Sequence, residues 1–231
     1  VHAGFGWDLG RSERHVAELL GAQGYETYLF GLQHVTADEE RLGFNHTHGR
    51  GTARNVAAAV AAFLENAGPA TPLYLELNLF EPHRPYDHGG VEPDDAAGVV
   101  VPPFLPNTPE AVLETAALQG AIREADAAVG RLLSALEAAG LAENTLVVFT
   151  TDHGVAMPRA KCTLYDPGIG TALLARWPSG GVAGGRTVSE LVSNLDVLPT
   201  LLEAAGAPVP ENVQGASLLS LARGEAGEPR T

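Results

Sequence analysis

Three short runs of strand-forming residues, each followed closely by a histidine, constrain this chain more than any other feature. Glu26 to Phe30 is followed by His34. Leu73 to Phe80 is followed by Glu81-Pro82-His83, and Thr145 to Thr150 by Thr151-Asp152-His153-Gly154. Helical patterns separate the runs, and that alternation predicts an α/β sandwich. Thr145 to Thr150 is almost wholly apolar and β-branched, as expected of a strand buried on both faces of a parallel sheet. Ligands of an open parallel sheet sit beyond the carboxyl ends of its strands. If the three strands are parallel, the three histidines and Asp152 lie along one edge.

The segments between them fit this frame. Arg11 to Gln23 reads as a helix with Val16, Leu19 and Leu20 on one face, and Gly51 to Asn66 as an alanine-rich helix stopped by Gly68 and Pro69. Glu81 through Asn107 is a long proline-rich loop, and a loop of that length within a domain is often functional. Thr108-Pro109 opens a further helix, with a hydroxyl cap followed by proline at the first position. A break is expected near Gly120, and an end near Gly140. Thr171 to Trp177 reads as a strand, Asp196 to Ala205 as a short helix, and Gln214 to Leu221 as the start of another. Asp196 is expected to cap or orient a helix. His46 and His48 are placed in an exposed loop.

Composition excludes several partners. A formal net charge of −14 disfavours nucleic acid and anionic lipid surfaces, both of which need a basic face. A small sulfate or phosphate ester stays possible, because a pocket needs only a few local cations. The longest apolar run, Val56 to Leu64, is too short to span a bilayer. A single cysteine, Cys162, rules out an intrachain disulfide and Cys-x-x-Cys zinc spacing. Neither a nucleotide-binding loop nor a G-x-S-x-G elbow occurs.

The residues at the strand ends suggest a chemistry. Asp152 offers oxygen ligands and His153 a nitrogen ligand, together half of a divalent-metal site. Lys161, eight residues after His153, could join His83 and His34 in stabilising charge on a transferred sulfuryl or phosphoryl group.

The same residues resemble the sulfatase family, within the alkaline-phosphatase-like superfamily. Thr150-Thr151-Asp152-His153-Gly154, then Ala160-Lys161-Cys162-Thr163-Leu164-Tyr165-Asp166 and Leu174-Ala175-Arg176-Trp177-Pro178, are similar to that family's C-terminal metal and sulfate motif. Gly24 to Gly31 with Gln33-His34 is similar to its G-K-x-H segment, and Phe80 to Tyr86 to its P-H-x-P segment. Ser193 to Leu202 and Gln214 to Leu218 are similar to later structural motifs. The likeness covers nearly the whole chain and leans toward N-sulfoglucosamine sulfohydrolase-like and heparan-sulfatase-like members.

The resemblance implies a three-layer α/β sandwich with a mostly parallel central sheet. It implies hydrolysis of a sulfate ester or sulfamate on a small molecule or oligosaccharide. In the family a formylglycine hydrate attacks sulfur beside a bound calcium ion. By matching positions, Asp152 and His153 are implied metal ligands, Lys161 and His83 sulfate contacts, and His34 the group that orients or deprotonates the attacking hydroxyl. Arg84 is a candidate contact to an acidic glycan. Two motifs depart from the family pattern. Leu32 stands where the family has the G-K-x-H lysine, and no C/S-x-P-x-R segment occurs. Cys162 belongs to the lysine motif and does not read as the nucleophile. The chain therefore reads as part of a catalytic domain lacking its first segment, with a C-terminal subdomain at most begun after about residue 205, and alone it is expected not to turn over. Two other readings stay open: a phosphodiesterase or phosphonate hydrolase using manganese, iron or zinc, and an inactive binding scaffold.

Overall fold

The computed structural model describes residues 7–66 and 71–225. The expected helix stop at Gly68 and Pro69 lies outside them. The architecture is α/β, built around a three-stranded parallel sheet. Strand β1 (Glu26–Gly31) is its middle strand, flanked by β2 (His46–His48) and β3 (Leu73–Asn78). The β1–β3 register pairs Glu26 with Leu73 and Gly31 with Asn78, so both strands leave the sheet at the same edge.

Alternation along these strands decides which helices cover each face. Tyr28 and Phe30 of β1, with Leu73, Leu75 and Leu77 of β3, pack on α2 (Ala53–Leu64) and α3 (Pro109–Ala138). Val56, Ala57, Val60 and Leu64 give α2 one buried stripe at helical spacing. Tyr74 points to the opposite face, where Leu19 and Leu20 of α1 (Val16–Gly21) meet Leu198 and Leu202 of α5 (Val197–Ala204). Helices thus cover both faces of the sheet. None among the described residues is long and apolar enough to cross a membrane.

Helix α3 runs unbroken for 30 residues, so the expected break at Gly120 does not occur. Thr108 caps it by accepting from the Ala111 N–H, with Pro109 in the first turn. Gly120 is there for a neighbour. A Cβ at this position would stand 2.1 Å from the Glu92 carbonyl oxygen. The proline-rich loop lies against the helix here: Asp94 N–H donates to the Ala116 carbonyl, and Gln119 Nε2 donates to the Asp94 carbonyl.

A larger correction concerns the third strand. Strand β4 (Val147–Thr150) pairs antiparallel with β5 (Leu173–Arg176) in a separate two-stranded sheet, and Val147 to Phe149 are only half-buried. Val148, Leu173 and Ala175 face α5 and α6 (Leu219–Arg223). An apolar β-branched run encodes burial against something, not the direction of its partner strand. His46 and His48 are also corrected. They lie on an edge strand, exposed, with His46 stacked on Tyr28 at 4.5 Å and His48 on Phe30 at 4.3 Å.

Gly120→Ala is expected to destabilise the fold by about 1–3 kcal/mol through overpacking against Glu92, although alanine is the better helix former by about 1 kcal/mol. Urea denaturation of the two proteins measures the difference.

Candidate active site

The turn after β4 carries the densest chemistry. Asn194 braces it by accepting from the Thr150 hydroxyl at 2.7 Å and donating to the Thr151 carbonyl at 2.8 Å. Asp152 follows with its side chain 85% exposed, and its Oδ2 lies 3.4 Å from His153 Nε2. His153 Nδ1 is 2.7 Å from the Gly154 carbonyl. A carbonyl only accepts, so Nδ1 carries a proton and Nε2 is the ring nitrogen that faces the Asp152 carboxylate. An imidazole whose Nδ1 is held by backbone in this way can offer Nε2 to a metal.

Gly154 makes the turn possible. A Cβ there would sit 2.0 Å from the Pro167 carbonyl oxygen. In the absence of a side chain, Gly154 N–H donates to Gly168 and Val155 N–H to Pro167, which docks the turn on α4 (Asp166–Ile169). The Val155 carbonyl then accepts from both Met157 N–H and Lys161 N–H, so Lys161 belongs to the same folded loop as Asp152 and His153. Its side chain is half-buried, and among the described residues no carboxylate lies within ion-pair distance of it.

His83 arrives from β3. The loop carrying it begins at Glu81, which is buried and accepts from the Ala53 N–H at the start of α2. His83 N–H closes a turn on the Phe80 carbonyl, and its Nδ1 donates to the Arg84 carbonyl. The ring therefore presents Nε2, as His153 does. Arg84 and Tyr86 reach across to the β4 loop. Arg84 Nε lies 2.8 Å and the Tyr86 hydroxyl 3.2 Å from the Ala156 carbonyl oxygen. Burial pushes the Tyr86 phenol up, against the opposing effect of Arg84, so at neutral pH it is an O–H donor. Arg84 also pairs with Glu114 of α3 and lies over the Tyr86 ring at 4.9 Å.

His34 follows β1 at the sheet edge from which β3 also departs. The Gln33 side chain folds its loop by accepting from the Val35 and Thr36 N–H groups and donating to the Thr36 carbonyl. Gly31 permits the close approach of β3 at this end: a Cβ there would lie 2.0 Å from the Asn78 carbonyl oxygen. Asp196, expected to orient a helix, is buried in a capping box with Ser193 and also accepts from the Ala216 N–H.

The structure thus gathers Asp152, His153 and Lys161 in one loop, ties the His83 loop to it at Ala156, and places His34 on the same sheet edge as His83. Sequence reasoning did not single out Glu81, Tyr86, Glu114 or Asn194. The signal for Glu81 was a carboxylate directly before a proline turn, at a position whose neighbours are apolar.

Comparison with known proteins places this arrangement in a family. The sulfatase family profile matches residues 1–207. Human N-sulphoglucosamine sulphohydrolase is 30% identical over 228 residues, covering 85% of this chain and 45% of that protein. Human arylsulfatase A is 32% identical over 273 residues, covering 96% of this chain and 54% of that protein. The chain thus spans about half the length of these curated relatives. A solved structure of a protein with its substrate D-glucosamine-2-N,6-O-disulfate superposes with a TM-score of 0.77 at 18% identity, covering 97% of this chain and 67% of that one. A phosphonate monoester hydrolase from Silicibacter pomeroyi superposes at 0.75 with 20% identity, covering 97% and 64%. Both share the fold.

Replacing Glu81 by alanine leaves the buried Ala53 N–H without its acceptor, and is expected to cost about 1–3 kcal/mol. Glu81→Gln keeps an acceptor oxygen and should recover most of it. Thermal unfolding of the two variants distinguishes them.

Proposed function

The chain belongs to the sulfatase family, and on that premise we propose that it carries the metal- and sulfate-holding part of a site that hydrolyses sulfate esters or sulfamates of sugars. The reaction adds water across the S–O or S–N bond and releases sulfate and the alcohol or amine. The observation that carries the reading is the single loop holding Asp152, His153 and Lys161, tied to the loop of His83. Lys161 supplies a full positive charge for sulfate oxygens, which matters in a chain of net charge −14. His83 is the second sulfate contact in its doubly protonated form, donating Nε2–H to a sulfate oxygen while Nδ1–H stays on the Arg84 carbonyl. His34 orients or deprotonates the attacking hydroxyl. Curated relatives that act on sulfated sugars support the substrate class, among them ulvan-active sulfatases of Formosa agariphila.

Members of the family are generally metal-dependent. The donors at this turn fit part of a divalent site. Asp152 Oδ2 and His153 Nε2 lie 3.4 Å apart, while among the described residues no group of three or more His, Cys, Asp or Glu could hold an ion. Bound there, a divalent cation would supply Lewis-acid charge beside the sulfate. Calcium goes with the sulfatase reading. The imidazole nitrogen suits manganese, iron or zinc better than calcium, and this favours a second reading as a phosphodiesterase or phosphonate hydrolase.

Lys161→Ala is expected to weaken binding of inorganic sulfate about 10- to 100-fold, the effect of one charge-assisted hydrogen bond. Asp152→Asn should lower the thermal shift produced by divalent cations. Titration calorimetry and melting curves measure both. In a protein that joins this chain to the segment supplying the attacking group, parallel rates on a sulfate and a phosphate ester, with calcium, manganese and zinc in turn, decide between the readings. Faster phosphate hydrolysis with manganese or zinc would replace the sulfatase reading by the second one.

A further inference from the structure

Arg84 is a candidate contact to an acidic glycan, and its guanidinium is also engaged within the fold. Nε donates to the Ala156 carbonyl, a terminal nitrogen pairs with Glu114, and the plane lies over Tyr86. Tyr86 is only 5% exposed and donates its hydroxyl to the same Ala156 oxygen. One carbonyl has two lone pairs, so it can accept both bonds.

The placement of this junction gives it consequence. Among the described residues, strand pairing unites β2, β1 and β3 in one sheet and β4 with β5 in another. No backbone ladder joins β3 to β4, yet His83 follows one and Asp152 the other. Contacts between their two loops are made by the Arg84 and Tyr86 side chains. On the β4 side, Ala156 lies between Val155, whose carbonyl binds the Met157 and Lys161 N–H groups, and the buried Met157. A shift at Ala156 is therefore passed to Lys161. On the β3 side, Glu81 anchors the loop to α2 and Arg84 anchors it to α3 through Glu114.

We propose that Arg84 and Tyr86 are positioning residues, a two-pronged clamp on the Ala156 carbonyl that holds His83 in register with the Asp152–Lys161 loop. The sulfate arm of the test below rests on the function proposed above, while the structural arm does not. Arginine suits the role because its planar fork serves Ala156 and Glu114 at once, whereas a lysine donates from a single point.

Cys162 supplies the probe, being the only cysteine in the chain, exposed and adjacent to Lys161. A nitroxide attached there broadens NMR signals of nearby amides, and those of His83 and of His88, whose ring lies 4.0 Å from the Phe80 ring at the head of the same loop, are read in the 231-residue chain. The variants are Arg84→Lys, Tyr86→Phe and their combination. They keep the charge and the ring, and so keep the fold. Broadening at His83 and His88 is expected to fall stepwise through the single variants to the double, while signals of α2 and α3 stay in place. Sulfate affinity should fall about fivefold in the double variant, as for loss of about 1 kcal/mol of hydrogen bonding, although no cation has been removed. Unchanged broadening in the double variant overturns the clamp. So does a loss of affinity without loss of broadening, which would make Arg84 or Tyr86 a direct ligand. A native chain that binds no sulfate refutes the functional reading, and the broadening series still decides the clamp.

Discussion

Among the described residues, the two loops of the candidate site meet through side chains, Arg84 and Tyr86 on the Ala156 carbonyl. β3 and β4 deliver the two halves of the chemistry, yet each is laddered to a different partner. Within a sheet, register is set by many cooperative backbone bonds, and a slip would turn every side chain to the other face. Between these sheets, register falls to packing and a few polar side-chain contacts. The Leu19–Leu20–Leu202 cluster holds α1 against α5. The Ala156 carbonyl, gripped by Arg84 and Tyr86, does the corresponding task at the chemical end. Apolar packing fixes separation but is weakly directional. Hydrogen bonds have preferred angles, so the polar contact is the one able to fix orientation.

Glycines make the close approaches on which this geometry relies. Gly31 lets β1 and β3 meet at the edge from which His34 and His83 depart, and Gly154 lets the β4 turn settle on Pro167. In each case a Cβ would lie 2.0 Å from a carbonyl oxygen. Both sit where the sequence resembles a family motif, so a motif glycine here has a steric reason that can be stated without reference to relatives. Gly120 follows the same rule inside a helix, where the intrinsic cost of glycine is offset by the proline-rich loop it admits.

Much of the fold was legible because its signals are local. Short strand-forming runs marked β1 and β3, the Thr108-Pro109 pair marked the start of α3, and the alanine-rich run from Gly51 marked α2. What was not legible is pairwise. Val147 to Thr150 announces a strand but carries no information about whether its neighbour runs with it or against it. His46-Thr47-His48 is too short and polar to read as a strand, and only the aromatic rings of Tyr28 and Phe30 on the adjacent strand explain its rings. The candidate site divides in the same way. Asp152, His153 and Lys161 could be found because they lie within one loop and one motif. The partners of Arg84 could not, since Glu114 and Ala156 are distant in sequence and one of them contributes only a backbone oxygen.

The two presented imidazoles carry the chemistry one step further. His83 and His153 each donate Nδ1–H to the carbonyl of the next residue, which leaves Nε2 turned away from the backbone in both, facing Asp152 Oδ2 in His153. A neutral imidazole held this way can ligate a metal or take a proton, but it attracts no anion until protonated. The standing positive charge in the Asp152 loop comes from Lys161 and from the exposed Arg159, whose guanidinium lies over Tyr165, while the nearby Arg84 is engaged by Glu114 and Ala156. Leu32 removes a further cation at the position where the family pattern places one. With 28 acidic against 14 basic side chains, the surrounding field opposes an incoming sulfate. A site of this kind gains most from a divalent cation at Asp152 and His153, since that ion would both screen the carboxylate and supply the charge the protein itself provides sparingly.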